Sequence, residues 1–185
     1  MSNITVAGTG YVGLVTGVCL AEVGHQVTCV DNNDEKINLL RQGISPIYEP
    51  GLDELIVKNT ENGKLDFTTD YQSVYAHSDV IFIGVGTPEN EDGSANLNYV
   101  FTVAKEIAES VEQDCLVVVK STVPIGTNDR VEAYIKEHLK HNVKIELASN
   151  PEFLAQGTAV RDTLYASRIV IGTESDKAKQ ILMDV

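Results

Sequence analysis

Residues 4–13, Ile4-Thr-Val-Ala-Gly8-Thr-Gly10-Tyr-Val-Gly13, decide the fold. A short apolar run reads as a buried strand, and the GxGxxG pattern that follows it opens a segment of helical composition. Each glycine has a physical reason: Gly8 permits a tight turn, Gly10 lets a pyrophosphate approach the backbone, and Gly13 lets the helix sit close to the strand. Such a helix start offers unpaired N–H groups and a positive dipole end to an anion. Asp31 ends the next strand, roughly 20 residues further on, where an acidic side chain can accept hydrogen bonds from the ribose hydroxyls of a dinucleotide and repel a 2′-phosphate. The pattern therefore predicts NAD rather than NADP. An aspartate there can also cap or turn the chain ahead of the following helix, and Lys36 fits either the ribose edge or a solvated helix face.

Working outward, apolar runs of strand length alternate with longer segments of helical period almost from end to end. Strands are expected over residues 4–7, 27–31, 65–68, 80–85, 116–120, 145–149 and 168–171, and helices over 11–23, 34–42, 52–59, 71–77, 99–111 and 128–140. Strands such as Val80-Ile-Phe-Ile83 and Leu116-Val-Val-Val119 lack polar alternation, which suits a parallel sheet covered on both faces. The fold class follows: α/β, a doubly wound Rossmann arrangement with a mostly parallel sheet and helices on both faces. Gly24 fits a left-handed cap after the first helix, and Asn33 fits the N-cap of the second. Two longer loops, 43–51 and 86–98, follow ordered segments where open α/β sheets keep ligands.

With 185 residues, the chain suffices for one large domain. Lys and Arg number 14 against 27 Asp and Glu, a formal net charge of −13 with no basic cluster, which argues against nucleic acid as a partner. No run approaches the roughly 20 apolar residues of a membrane span, and the first residues lack the basic and apolar regions of a secretory signal, so a cytoplasmic location is expected. Cys19, Cys29 and Cys115 lie apart in apolar surroundings and read as buried reduced thiols. His25, His77, His138 and His141 fall at expected turns and helix ends, with no metal-ligand spacing, and read as solvated. No metal site is expected. The segment 174–185 has helix-forming composition and stops without cap or breaker inside Ile181-Leu182-Met183, which suggests that a longer chain continues.

Several motifs together carry a family resemblance. Gly8-Thr-Gly10-Tyr-Val-Gly13, Ile44-Ser-Pro-Ile-Tyr-Glu-Pro-Gly51, Thr87-Pro88 with Asp92-Gly93-Ser94, Lys120-Ser-Thr-Val-Pro-Ile-Gly-Thr127 and Asn150-Pro-Glu-Phe-Leu154 resemble the UDP-glucose/GDP-mannose dehydrogenases, most closely the members that oxidise UDP-glucose. The motifs occur in the family's order over essentially the whole chain. The resemblance implies that residues 1–185 are the NAD-binding domain of a longer nucleotide-sugar dehydrogenase. The parent reaction it implies is oxidation of the C6 alcohol of UDP-glucose to UDP-glucuronate in two hydride transfers to NAD.

The resemblance also assigns residues. It places Gly8, Gly10, Tyr11, Val12, Gly13, Asp31 and Lys36 on the cofactor, with Thr87, Pro88, Ser121, Thr122 and Gln156 further along it. It gives Thr122 a part in placing the reacting centre and puts the Glu152 carboxylate near the sugar carbon, where it could assist proton transfer or water attack. Glu152, Phe153 and Leu154 would line the sugar-nucleotide pocket. The residues themselves leave other readings open: Thr87-Pro88 fits an ordinary tight loop, Ser121-Thr122 a helix cap, and Glu152 a surface loop. Many relatives carry a second glutamate where this chain has Gln156, which can hydrogen-bond but cannot act as a base.

Family members use a catalytic cysteine in a glycine-rich motif, with an assisting lysine and asparagine from a central helical region. None of the three cysteines sits in such a motif, so this polypeptide is expected to bind NAD without turning over. The central helix and the C-terminal sugar-nucleotide domain would lie outside it, and the parent is expected to be a homodimer or larger. Rival readings are a stand-alone NAD-binding sensor or partner module, a dehydrogenase of UDP-N-acetylmannosamine or GDP-mannose, and a 6-phosphogluconate or hydroxyacyl type of Rossmann dehydrogenase. The KSTVPIGT and NPEFL motifs weigh against the last.

Overall fold

The computed structural model describes residues 1–185. Six strands, β1 (Asn3–Ala7), β2 (Gln26–Val30), β3 (Leu65–Thr68), β4 (Val80–Ile83), β5 (Cys115–Val119) and β6 (Ile145–Ser149), form one sheet in the order β3-β2-β1-β4-β5-β6. Every neighbouring pair is parallel. From β1 the chain winds outward to β3, then returns to β4 and winds the other way. The strand order reverses between β1 and β4, and a crevice opens beyond their carboxyl ends.

Eight helices cover the sheet: α1 (Tyr11–Glu22), α2 (Asp34–Arg41), α3 (Leu52–Glu61), α4 (Tyr71–Ala76), α5 (Asn98–Ser110), α6 (Thr127–His138), α7 (Ala159–Leu164) and α8 (Asp176–Asp184). The pleat sends alternate strand residues into two separate cores. Ile4, Val6, Phe67, Phe82 and Val118 pack with α1, α3 and α7, whereas Ile81, Ile83, Val117 and Val119 pack with α5 and α6. Because both faces are covered at the centre of the sheet, β4 and β5 are buried and apolar throughout, as their sequence pattern implied.

The expected caps form. Gly24 turns at φ +115°, and the Asn33 side chain accepts from the Lys36 N–H at 2.9 Å. The six expected helices are present with ends shifted by a residue or two, and α8 occupies the helix-forming segment at 174–185.

Two expectations fail. No strand occupies residues 168–171; Gly172 instead makes a single antiparallel bridge to Ser149, exchanging bonds of 2.8 and 2.9 Å. The chain runs back past β6 in the wrong direction to extend a parallel ladder. The Asn150 amide satisfies the Val170 carbonyl at 2.9 Å, and Ile169 stays 70 % exposed. His25 is buried rather than solvated, the Gly24 turn bringing its N–H to the Leu20 carbonyl at 3.1 Å; burial and the nearby amino terminus hold its pKa below the ordinary histidine value. The three cysteines are free and buried, and burial pushes each thiol up to about 12, leaving them unreactive. No helix is long and apolar enough to cross a membrane.

Candidate functional site

A cleft of about 520 Å³ opens at the strand-order reversal, lined by Gly8 and Gly10, by Asp31 and Lys36, and by Tyr71, Tyr99 and Glu106 from α4 and α5. Its floor is the turn between β1 and α1. Gly8 sits at φ +97°, and a Cβ there would come within 3.0 Å of the Gly84 carbonyl. A Cβ on Gly13 would lie 2.0 Å from the Gly8 carbonyl oxygen, so only hydrogen lets α1 sit this close to the turn. Gly10 differs: no atom lies within 4 Å of where its Cβ would be. The space over Gly10 is open, and a side chain would fill it.

The amides of Tyr11, Val12 and Gly13 begin α1 and have no intrahelical acceptor. Gly10 supplies no side-chain cap, and the first turn holds no acidic residue, so the dipole end is uncompensated. These residues fit a diphosphate by their donor chemistry and by the open cradle above Gly10.

Asp31 closes one side of the cleft. Its Oδ2 accepts from the Thr9 N–H at 2.8 Å, the Thr9 hydroxyl at 2.6 Å and the Lys36 ammonium at 3.0 Å, while Oδ1 accepts from the Asn33 N–H at 3.1 Å. Burial alone would raise its pKa; the bonds from Thr9 and Lys36 outweigh that and hold it below the ordinary aspartate value. The charge persists at neutral pH. The turn-forming reading of Asp31 holds, since one oxygen accepts from the glycine turn and the other shapes the turn into α2. Thr9, fully buried, is a supporting residue that sequence reading missed, although its place inside GxGxxG was visible.

A second cavity, of about 300 Å³, lies at the carboxyl ends of β5 and β6 and gathers Glu152, Phe153 and Leu154 with Lys120 and Asn150. The Lys120 ammonium donates to Asn150 Oδ1 at 3.0 Å. Burial lowers its pKa, and the Glu152 charge opposes that shift. Glu152 accepts from the Leu154 N–H, and the Arg168 guanidinium stands 4.8 Å from the centre of the Phe153 ring. Neither Lys120 nor Asn150 carried a role in the sequence reading. A lysine ending an otherwise apolar strand was the available signal.

Between the cavities, the Ser121 hydroxyl donates to the Val85 carbonyl at 2.6 Å and the Thr87 hydroxyl to the Thr122 carbonyl at 2.8 Å, lacing the ends of β4 and β5 together. Ser121 spends its proton on the backbone; Thr122 and Pro88 are exposed at the rim. Gln156 is exposed, and its neighbour Gly157 reaches Tyr11 and Glu49. No group of three or more His, Cys, Asp or Glu side chains is placed to hold a metal ion.

Residues 2–185 match the model of the UDP-glucose/GDP-mannose dehydrogenase family, NAD binding domain. The chain belongs to this family. UDP-glucose 6-dehydrogenase YwqF of Bacillus subtilis is 55% identical over 183 residues, which is 99% of this chain and 42% of that protein. A UDP-glucose dehydrogenase structure from Pyrobaculum islandicum superposes with a TM-score of 0.95 at 41% identity, covering all of this chain and 43% of the other. A ternary complex of GDP-mannose dehydrogenase from Pseudomonas aeruginosa gives 0.91 at 39% identity, covering 98% and 43%. This UDP-glucose/GDP-mannose dehydrogenase chain thus spans about two fifths of the length of such relatives, and as the family's cofactor domain it binds NAD.

Proposed function

We propose that residues 1–185 are the cofactor domain of a UDP-glucose 6-dehydrogenase, and that the open cradle over Gly10, flanked by the ionised Asp31, is the observation that carries the reading. NAD, when bound, supplies the hydride acceptor for oxidation of the sugar alcohol. The amides that start α1, with Gly8, Gly10, Tyr11, Val12 and Gly13, hold the diphosphate. Asp31 and Lys36 take the adenosine ribose, and Asp31 repels a 2′-phosphate. Thr87, Pro88, Ser121, Thr122 and Gln156 line the remainder of the cofactor path.

Glu152, Phe153 and Leu154 meet the nucleotide sugar, Thr122 helps to place it, and Glu152 holds or accepts a proton near the reacting carbon. Lys120 joins them as a cation whose affinity for its proton burial has weakened. The buried, high-pKa cysteines supply no thiolate for a covalent step, so this polypeptide binds cofactor without oxidising sugar. The parent acts in the cytoplasm as a dimer or larger assembly.

Identity of 55% to a UDP-glucose enzyme against 39% to a GDP-mannose enzyme favours UDP-glucose as substrate. The full-length protein, assayed by NADH formation, should prefer UDP-glucose over GDP-mannose and UDP-N-acetylmannosamine and yield two NADH per sugar. Preference for either of the others would overturn the substrate assignment.

A further inference from the structure

Glu49 lies in the loop between α2 and α3, has no role assigned above, and its burial inverts what its sequence predicts. Tyr48, the apolar neighbour, is 90 % exposed, whereas Glu49 is 6 % exposed. A carboxylate leaves water at a cost unless strong donors replace it. No lysine, arginine or histidine pairs with Glu49. Instead the Gly157 N–H donates to Oε2 at 2.8 Å, the Ala159 N–H to Oε1 at 2.7 Å, and the Tyr11 hydroxyl to Oε2 as well. Burial raises the Glu49 pKa, but these bonds together bring it below the ordinary glutamate value.

The donors come from two places that matter. Tyr11 is the first residue of α1, inside the glycine motif. Ala159 is the first residue of α7, and Thr158 before it gives that helix no side-chain cap. Glu49 supplies the missing cap from 110 residues away. The Gly157 N–H also reaches the Tyr11 hydroxyl at 3.3 Å, and every remaining hydrogen bond of residues 152–158 stays within the loop or the helix it leads into. The loop carrying Glu152, Phe153 and Leu154 is thus anchored over long range only by Glu49 and the Tyr11 hydroxyl bonded to it.

We propose that Glu49 is a positioning residue: its carboxylate fixes the loop 152–157 against the start of α1, so that the groups facing the sugar nucleotide and those facing the cofactor keep one relative placement. The inference rests on reading residues 152–154 as the substrate loop. In Glu49→Gln one acceptor oxygen becomes an NH2 group, so either Gly157 or Ala159 loses its partner while volume is kept. Tyr11→Phe removes only the hydroxyl link, and it serves if the first variant folds poorly.

The test uses the full-length protein. For Glu49→Gln, kcat/KM for UDP-glucose should fall at least tenfold, the Kd for NAD measured by calorimetry should change less than threefold, and amide exchange at Gly157 and Ala159 should quicken. Tyr11→Phe should move the sugar-side values in the same direction by about threefold. Unchanged sugar kinetics in both variants would overturn the proposal, as would parallel loss of NAD affinity, sugar affinity and melting temperature. If the unsubstituted enzyme uses another nucleotide sugar, the substrate assignment alone fails, and the same comparison is made with that sugar.

Discussion

Gly10 and Gly13 stand three residues apart in one motif, yet the surroundings of their missing side chains are opposite. Alanine at 13 meets a carbonyl oxygen at 2.0 Å, so Gly13→Ala must push α1 from the sheet and should cost about 3 kcal/mol or more, read by urea denaturation. Alanine at 10 meets nothing and finds an extended backbone at φ −73° that it tolerates. Gly10→Ala should therefore keep its stability within about 1 kcal/mol and weaken NAD at least tenfold by calorimetry. The pair separates folding from binding within a single turn. Asp31→Asn keeps the acceptor toward the ribose but drops the negative charge, so the ratio of NADP to NAD affinity should rise about tenfold. An unchanged ratio would show that the charge of Asp31 does not set cofactor choice.

Elements respond to pH through the carboxylates that join them. Glu49 has a folded pKa below its ordinary 4.5, so its contribution to stability is present above that value and disappears as pH falls through the folded pKa. Glu49→Gln should melt well below the unsubstituted protein at neutral pH, and the gap should narrow steadily in thermal scans as pH falls below the ordinary glutamate value of 4.5. A gap that persisted in acid would mean that the carboxylate charge is not what holds α7.

The same residue shows where sequence reading stops. The six strands and the first six helices were legible because each carries its own period or apolar run, and the GxGxxG turn with Asp31 was legible because its spacing is local. Helix α7 was not, since its cap comes from Glu49 and nothing within residues 158–164 announces it. The apolar run Ile169-Val-Ile171 looked like a strand because composition carries no information about chain direction. The burial of His25 was not legible for a similar reason: the groups beside it include the amino terminus and Val185, distant in sequence. Lys120 and Asn150 become a pair only when β5 and β6 lie side by side.

At the scale of the whole molecule, the reversal of strand order makes the site, and the charge distribution sets how an anion reaches it. The chain carries a formal charge of −13, and the dinucleotide is itself an anion. Attraction is confined to the start of α1 and to Lys36, contacts of a few ångströms that salt screens weakly, whereas repulsion from the remaining surface acts over a distance that salt shortens from about 30 Å at 0.01 M to about 8 Å at 0.15 M. A basic phosphate binder loses affinity as salt rises because it gives up released counterions. Here the balance is reversed: the Kd for NAD should stay constant or fall as NaCl increases from about 20 to about 200 mM. A Kd that rose tenfold over that range would mean that long-range positive charge, and not the helix end with its open glycine, draws the cofactor in.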